Sequence, residues 1–154
     1  MNKAIEFLKN NGFENDIITV DTAHSAIEAA QALNVELKQI SKSLVFKTND
    51  LPVLVLMSGD AKIDSSKFRK TFKIKSKMVD DEQLVACTGY ERGGVCPFDL
   101  DLSKIKIYFD ESIKRNEVIY PGAGDSNHLV KISLKDIERI TPYLDYIDIG
   151  KNYE

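Results

Sequence analysis

The chain has 154 residues, 43% of them hydrophobic and 29% charged, with a net charge of −3. That length suits one domain with a real core, and the acidic balance excludes a protein that coats nucleic acid by charge alone. No run approaches the ~18 apolar residues of a membrane-spanning helix, and residues 1–12 lack the apolar stretch of a secretory signal. With Cys87 and Cys96 as its only cysteines, the chain is expected to be cytoplasmic with reduced thiols.

Taken in order, residues 2–11 place Ala4, Ile5 and Leu8 at helical spacing, and Gly12 supplies a stop. Residues 16–20 are short and β-branched, as in a strand. Ser25-x-x-Glu28 fits a capping box for a helix over 25–33, with Ile27, Ala30 and Leu33 as its stripe. A connector with a helical turn covers 34–40. Two apolar runs, 42–47 and 52–58, flank an Asn-Asp turn and predict a hairpin. The second run is apolar from Val53 to Met57, which predicts cover on both faces. A third helix is expected over 65–72, started by Asp64, and a fourth over 79–85 with acids in its first turn. Beyond a glycine-rich stretch come a strand at 105–109, a helical turn at 110–115 and a strand at 117–120. A second glycine-rich loop spans 121–127. A strand at 128–132, a helix at 134–140 capped by Ser133, and an apolar tail at 143–149 complete the chain. The irregular mix predicts an α+β fold: a single domain over residues 1–154 with a mixed, mainly antiparallel, barrel-like sheet flanked by helices.

Two stretches carry chemistry. Residues 88–98 hold Gly89, Gly93, Gly94 and Pro97, a frame whose backbone groups can line a pocket because glycine lets other atoms approach closely and proline fixes φ. Read blandly, it is a tight connection. Lys42 lies between Ile40 and the run Leu44-Val45-Phe46, so an ammonium heads an apolar strand. Such a lysine either snorkels at an edge or serves as a fixed charge that holds a phosphate or polarises a carbonyl. A third feature is an island of cations in an acidic chain: Lys62, Lys67, Arg69, Lys70, Lys73, Lys75 and Lys77 against a single acid, Asp64. It is either a solvated face or a contact for RNA phosphates, with Lys67 and Lys70 on one side of the third helix.

Several chemistries find no support. His24 and His128 are the only histidines and neither sits in a metal-ligand spacing; His24 reads as a surface or capping residue. Phosphate-loop, dinucleotide and Gly-x-Ser-x-Gly motifs are absent. Cys96 is a candidate nucleophile only if positive neighbours lower its pKa.

Ser41-Lys42-Ser43-Leu44-Val45-Phe46, followed by Thr88-Gly89 and Gly93-Gly94-Val95-Cys96-Pro97-Phe98, resembles the YbaK/EbsC family of aminoacyl-tRNA editing proteins, which includes the editing domain inserted in bacterial prolyl-tRNA synthetases. The resemblance runs from about residue 22 to 144 and implies the same fold. It implies that Lys42 is the catalytic residue, positioning the terminal adenosine and the ester. It also implies that Thr22, Ser43, Gly93, Gly94, Val95, Cys96, Pro97, Gly122, Gly124 and His128 contact substrate. The family commonly has serine at the position of Cys96. The implied mechanism uses a positioned water assisted by a ribose hydroxyl, with no metal and no cofactor.

The first hypothesis is therefore a free-standing deacylase that removes a mischarged small amino acid from the 3′ end of tRNA, with a synthetase as a candidate partner and no membrane involvement. A non-catalytic nucleotide- or tRNA-binding module of the same fold is the alternative. It would have no turnover to lose when Lys42 is replaced. A thiol hydrolase acting through Cys96 is a third reading, marked by stoichiometric labelling. The glycine-rich loop at 121–128 is expected to face Lys42 and the Gly93–Pro97 loop, with His128 reaching the ribose or amino acid.

Overall fold

The computed structural model describes residues 2–153. Helix α1 (Lys3–Asn10) is capped by Asn2, whose side chain accepts from the Ala4 N–H, and buries Ala4 and Leu8. Strand β1 (Ile17–Thr19) follows. Helix α2 (Ala26–Leu33) is capped by Ser25 and closed by Asn34 at φ 54°. The predicted capping box is half there. Ser25 accepts from the Glu28 N–H, but Glu28 accepts from the N–H of His24, one residue outside the cap.

Strands β2 (Ile40–Phe46) and β3 (Val53–Ser58) form the predicted hairpin, in register from Ser41↔Ser58 to Phe46↔Val53. A short strand β4 (Lys62–Ile63), which no local pattern announced, leads to α3 (Ser65–Phe72). Asp64 caps α3 by accepting from the N–H groups of Ser66 and Lys67. Helix α4 is Asp81–Thr88, two residues later than its predicted start. Residues 77–79 are held extended against β2: Lys47 N donates to Lys77 O at 2.8 Å and Val79 N to Val45 O at 3.1 Å. The acids Asp81 and Glu82 then meet the positive end of the helix, where the dipole favours them.

Then come β5 (Lys106–Asp110), a 3₁₀ turn over Glu111–Arg115, and β6 (Val118–Pro121). The single strand predicted at 128–132 is two. β7 (His128–Val130) pairs with β1, and β8 (Ile132–Ser133) pairs with β6. The break falls at Lys131, whose N–H donates to Asp16 O. Helix α5 (Leu134–Ile140) is capped by Ser133, and the tail forms β9 (Tyr146–Ile147) and β10 (Gly150–Lys151).

The main sheet has six strands in the order β8-β6-β2-β3-β5-β9 and is curled into a half-barrel. Four of the seven ladders among the described residues are antiparallel, but within this sheet three of five are parallel: β2 with β6, β3 with β5, and β5 with β9. The sheet is more parallel than the hairpin signals suggested because parallel neighbours are joined by long crossovers, which leave no turn motif to read.

β3 is buried at every residue, and its two faces serve two cores. Leu54 and Leu56 join Val45, Ile107, Phe109 and Ile119 under Leu8 of α1, Cys87 of α4 and Ile137 of α5. Val53, Val55 and Met57 join Phe46 and Phe68 of α3. A third cluster packs Ala29 and Ala30 of α2 on Ile40 and Leu129. Lys42 shares its strand face with Leu44 and Phe46, because side chains alternate along a strand. It therefore sits between the α2 cluster and the α3 cluster. Among the described residues no helix is long and apolar enough to cross a membrane.

Candidate functional site

A cavity of about 330 Å³ opens along β2 between Ile40 and Val45. That is the lower end of the size range for small-molecule sites. Its other walls are the start of α2 (Ala23, His24, Ala26), the approach to α4 (Met78, Val79, Asp81), and three loop residues, Gly93, Val95 and Gly122. The walls are largely apolar, with Lys42, Ser41 and Ser43 as polar groups on the strand.

Lys42 is half-buried. Its ammonium donates to the carbonyls of Ala61 at 2.6 Å and Gly59 at 3.5 Å, the turn that closes β3. The β2–β3 register, with Lys42 opposite Met57, brings that turn within reach. Burial pushes its pKa below the ordinary lysine value, nearby Asp60 pulls it back up, and Lys62 lowers it again. Asp60 is itself neutralised by a fork of two bonds from Arg115, 2.9 and 2.6 Å long. Ser41 is buried, and its Oγ has no hydrogen-bond partner among the described residues. A buried hydroxyl without a partner is uncommon enough to mark a wall position of interest.

The glycine loop is built in steps. Gly89 ends α4 at φ 77°, where L side chains are strained. Thr88 Oγ1 accepts from Tyr90 N at 3.0 Å, and Gly94 N donates to Glu91 O at 2.9 Å. Tyr90 Oη donates to Phe98 O at 2.6 Å, pinching the far end. Gly94 packs directly on the backbone of Gly124, so that a Cβ at Gly94 would overlap the Gly124 carbonyl. The two glycine-rich loops thus touch through their glycines. At the rim, Arg92 bonds Asp81 of α4, 2.9 Å from Nε and 2.8 Å from a terminal nitrogen.

Of the residues singled out in the sequence, the cavity brings together Lys42, Ser43, Gly93, Val95 and Gly122. Six others lie outside its lining. Gly94 and Gly124 form the contact between the loops. Cys96 and Pro97 are buried beneath them, and Thr22 is exposed before α2. His128 lies in β7 with Nδ1 bonded to both oxygens of Asp125, at 2.8 and 3.0 Å, which assigns it to bracing its own loop. The Cys96 thiol is fully buried, and burial pushes its pKa up to about 11. That is the opposite of the electropositive, exposed setting a thiol nucleophile needs. His24 and Ser41 also line the cavity. His24 is an exposed residue beside the α2 cap, as its sequence position suggests, and the placement of α2 over β2 puts it on the cavity rim as well.

The cationic segment divides in two. Lys67 does not face outward with Lys70 as a free pair: it bonds Asp148 at 3.1 Å and Gly150 O at 2.8 Å, tying α3 to the C-terminal strand. Lys73 closes α3 in the left-handed region at φ 62°, and from there Lys73, Lys75 and Lys77 are exposed while Ile74 packs inward. This strip ends at Met78 in the cavity wall, itself 53% exposed.

The fold and the cavity are those of a curled mixed-sheet domain with a lysine-bearing strand beside two glycine loops. The chain belongs to the aminoacyl-tRNA editing domain family, whose model matches residues 20–140. It is 36% identical over 143 residues to the uncharacterised protein YwhH of Bacillus subtilis, spanning 92% of this chain and 90% of that one. It is 31% identical over 121 residues to the proline–tRNA ligase of Lactobacillus helveticus, spanning 78% of this chain but only 21% of the ligase. A solved structure described as a candidate trans-editing enzyme for prolyl-tRNA synthetase superposes with a TM-score of 0.81 at 25% identity, covering 95% of this chain and 93% of that one. Among the described residues no group of three His, Cys, Asp or Glu side chains is placed to hold a metal ion.

Proposed function

We propose that the protein is a free-standing aminoacyl-tRNA deacylase, hydrolysing the ester of a mischarged small amino acid on the tRNA 3′ end. The observation that carries the reading is the placement of Lys42 on the wall of a largely apolar cavity that also includes Gly93, Val95 and Gly122. An aminoacyl ester is already activated, so orientation and a few fixed dipoles suffice for rate. Water adds to the ester carbonyl, the bond to the ribose oxygen breaks, and the products are free amino acid and tRNA. Lys42 holds the adenosine end and the ester; the backbone of Gly93 and Val95, the members of the 93–97 loop that reach the cavity, positions the amino acid and the water. The apolar walls select by size, and a methylene in such a pocket discriminates by only ~1–3 kcal/mol, which is the task a second sieve exists to perform. The exposed strip Lys73–Lys75–Lys77 carries the phosphates of the incoming strand to the mouth.

One observation favours a binding module instead: Lys42 already spends hydrogen bonds on Ala61 and Gly59 carbonyls. A deacylation screen against a panel of mischarged tRNAs separates the two. Turnover of at least one member supports the enzyme; tight binding without turnover of any supports the module.

A further inference from the structure

We infer that Asn2 and Lys3, at the start of α1, form a clamp that holds both glycine loops in register, and that they are positioning residues for the reaction proposed above, on which the kinetic half of the inference rests. Neither residue lines the Lys42 cavity, and both precede the stretch 20–140 matched by the family model.

Lys3 bridges the two ends of the first loop. Its ammonium donates to Thr88 O at 2.7 Å, just before Gly89, and to Asp99 O at 2.9 Å, just after Phe98. Its third side faces the Tyr90 ring, 4.6 Å from the centroid. A lysine has three donors and no acceptor, and here they converge on one loop from within. Tyr90 in turn holds Phe98 O, so the base of the loop is closed twice.

Asn2 does the same for the second loop. Its Oδ1 accepts from Ala4 N at 2.8 Å and caps α1. Its Nδ2 donates to Ala123 O at 2.7 Å and to Asp125 Oδ2 at 3.1 Å. A Cβ at Gly124 would land on the Asn2 side chain, so that glycine is what lets the clamp close. Because Gly94 rests on Gly124, fixing both loops to consecutive residues of one helix also fixes the loops to each other. Gly93, Val95 and Gly122 inherit their placement in the cavity from that arrangement. A cleft that shares only Arg92 with the Lys42 cavity runs along this junction and exposes the clamp to solvent.

The test compares Lys3→Met, which keeps the aliphatic stem but removes the donors, with Lys3→Arg, which keeps them, and with Asn2→Ala. Native-state hydrogen exchange reads the loops directly, at the amides of Tyr90 and Gly94 for the first and Ala123 for the second. Lys3→Met is expected to speed exchange at Tyr90 and Gly94, and Asn2→Ala at Ala123, each by about tenfold or more, while β3 amides stay protected. Lys3→Arg should stay near the unmodified protein. On a tRNA that the unmodified protein deacylates, Lys3→Met should lower kcat by roughly tenfold with KM changed less than about twofold. Unchanged exchange in both Lys3→Met and Asn2→Ala overturns the clamp. Faster loop exchange with unchanged kcat overturns its role in turnover. If no tRNA is turned over by the unmodified protein but exchange responds as stated, the clamp stands and the deacylase reading falls.

Discussion

Replacing Lys42 by methionine is the most direct test of the site, because it removes the ammonium and keeps an unbranched side chain of similar reach. Two effects on stability oppose each other. The bonds to Ala61 O and Gly59 O are lost, and a hydrogen bond involving a charged group contributes about 1.5–3 kcal/mol. Against this, a half-buried ammonium no longer has to be desolvated, the effect that lowers its pKa. The two effects offset in part, so the net loss should stay below the ~1.5–3 kcal/mol of one charged hydrogen bond, and each ~1 kcal/mol is roughly 2–4 °C in Tm for a domain of this length. The catalytic effect is larger. Losing one preorganised group that stabilises developing charge costs about 10²–10³ in rate, ~2.7–4 kcal/mol. Single-turnover deacylation with labelled amino acid, alongside a melting curve, measures both. A variant that melts normally and keeps kcat/KM within about threefold of the original would remove Lys42 from the mechanism.

Three further outcomes are expected. Exchanging Lys73, Lys75 and Lys77 together for glutamine should weaken tRNA binding and flatten its log–log salt dependence by about 2, since each single-strand phosphate contact contributes roughly 0.7; an unchanged slope clears the strip, and hydrolysis of an aminoacyl-adenosine should not respond. Cys96→Ser should keep deacylation within about threefold, and iodoacetamide should not label Cys96 in the native protein, as expected of a thiol buried and raised to about 11; rapid labelling with loss of turnover would restore the thiol hydrolase. The pH profile, corrected for spontaneous ester hydrolysis, should show an alkaline limb below the ordinary lysine value of 10.5, because the folded state lowers the Lys42 pKa. The same shift means the unfolded chain binds more protons there, so stability should rise with pH between the lowered value and 10.5. An alkaline limb absent up to pH 10.5 would assign the activity to another group.

What the sequence made legible was local. The bounds of α3 and α5 follow from Asp64 and Ser133, whose side chains satisfy the first free N–H groups of each helix. The β2–β3 hairpin follows from two apolar runs and a polar turn, and Lys42 stands out because an ammonium in such a strand needs a reason. What stayed hidden depended on partners far along the chain. α4 starts late because residues 77–79 are claimed by the edge of β2, and the strand at 128–132 splits because β1 and β6 compete for its two halves.

The cavity shows the same division. The glycines of both loops were visible as loop formers, but their reason for being glycine differs and cannot be read from spacing. Gly89 and Gly93 answer to backbone angle, at φ 77° and 91°. Gly94 answers to the approach of Gly124, and Gly124 to both its own φ of 95° and the Asn2 side chain. A substitution at Gly94 should therefore push the two loops apart, whereas one at Gly93, where nothing lies within 4 Å of a Cβ, should strain only its own turn. If the clamp inferred above holds, the spacing between the two loop backbones is set by α1 on one side and by β2 on the other, and Lys42 acts within that frame. Selectivity in this chain should therefore respond to changes in that spacing as well as to changes in the apolar walls that size the pocket.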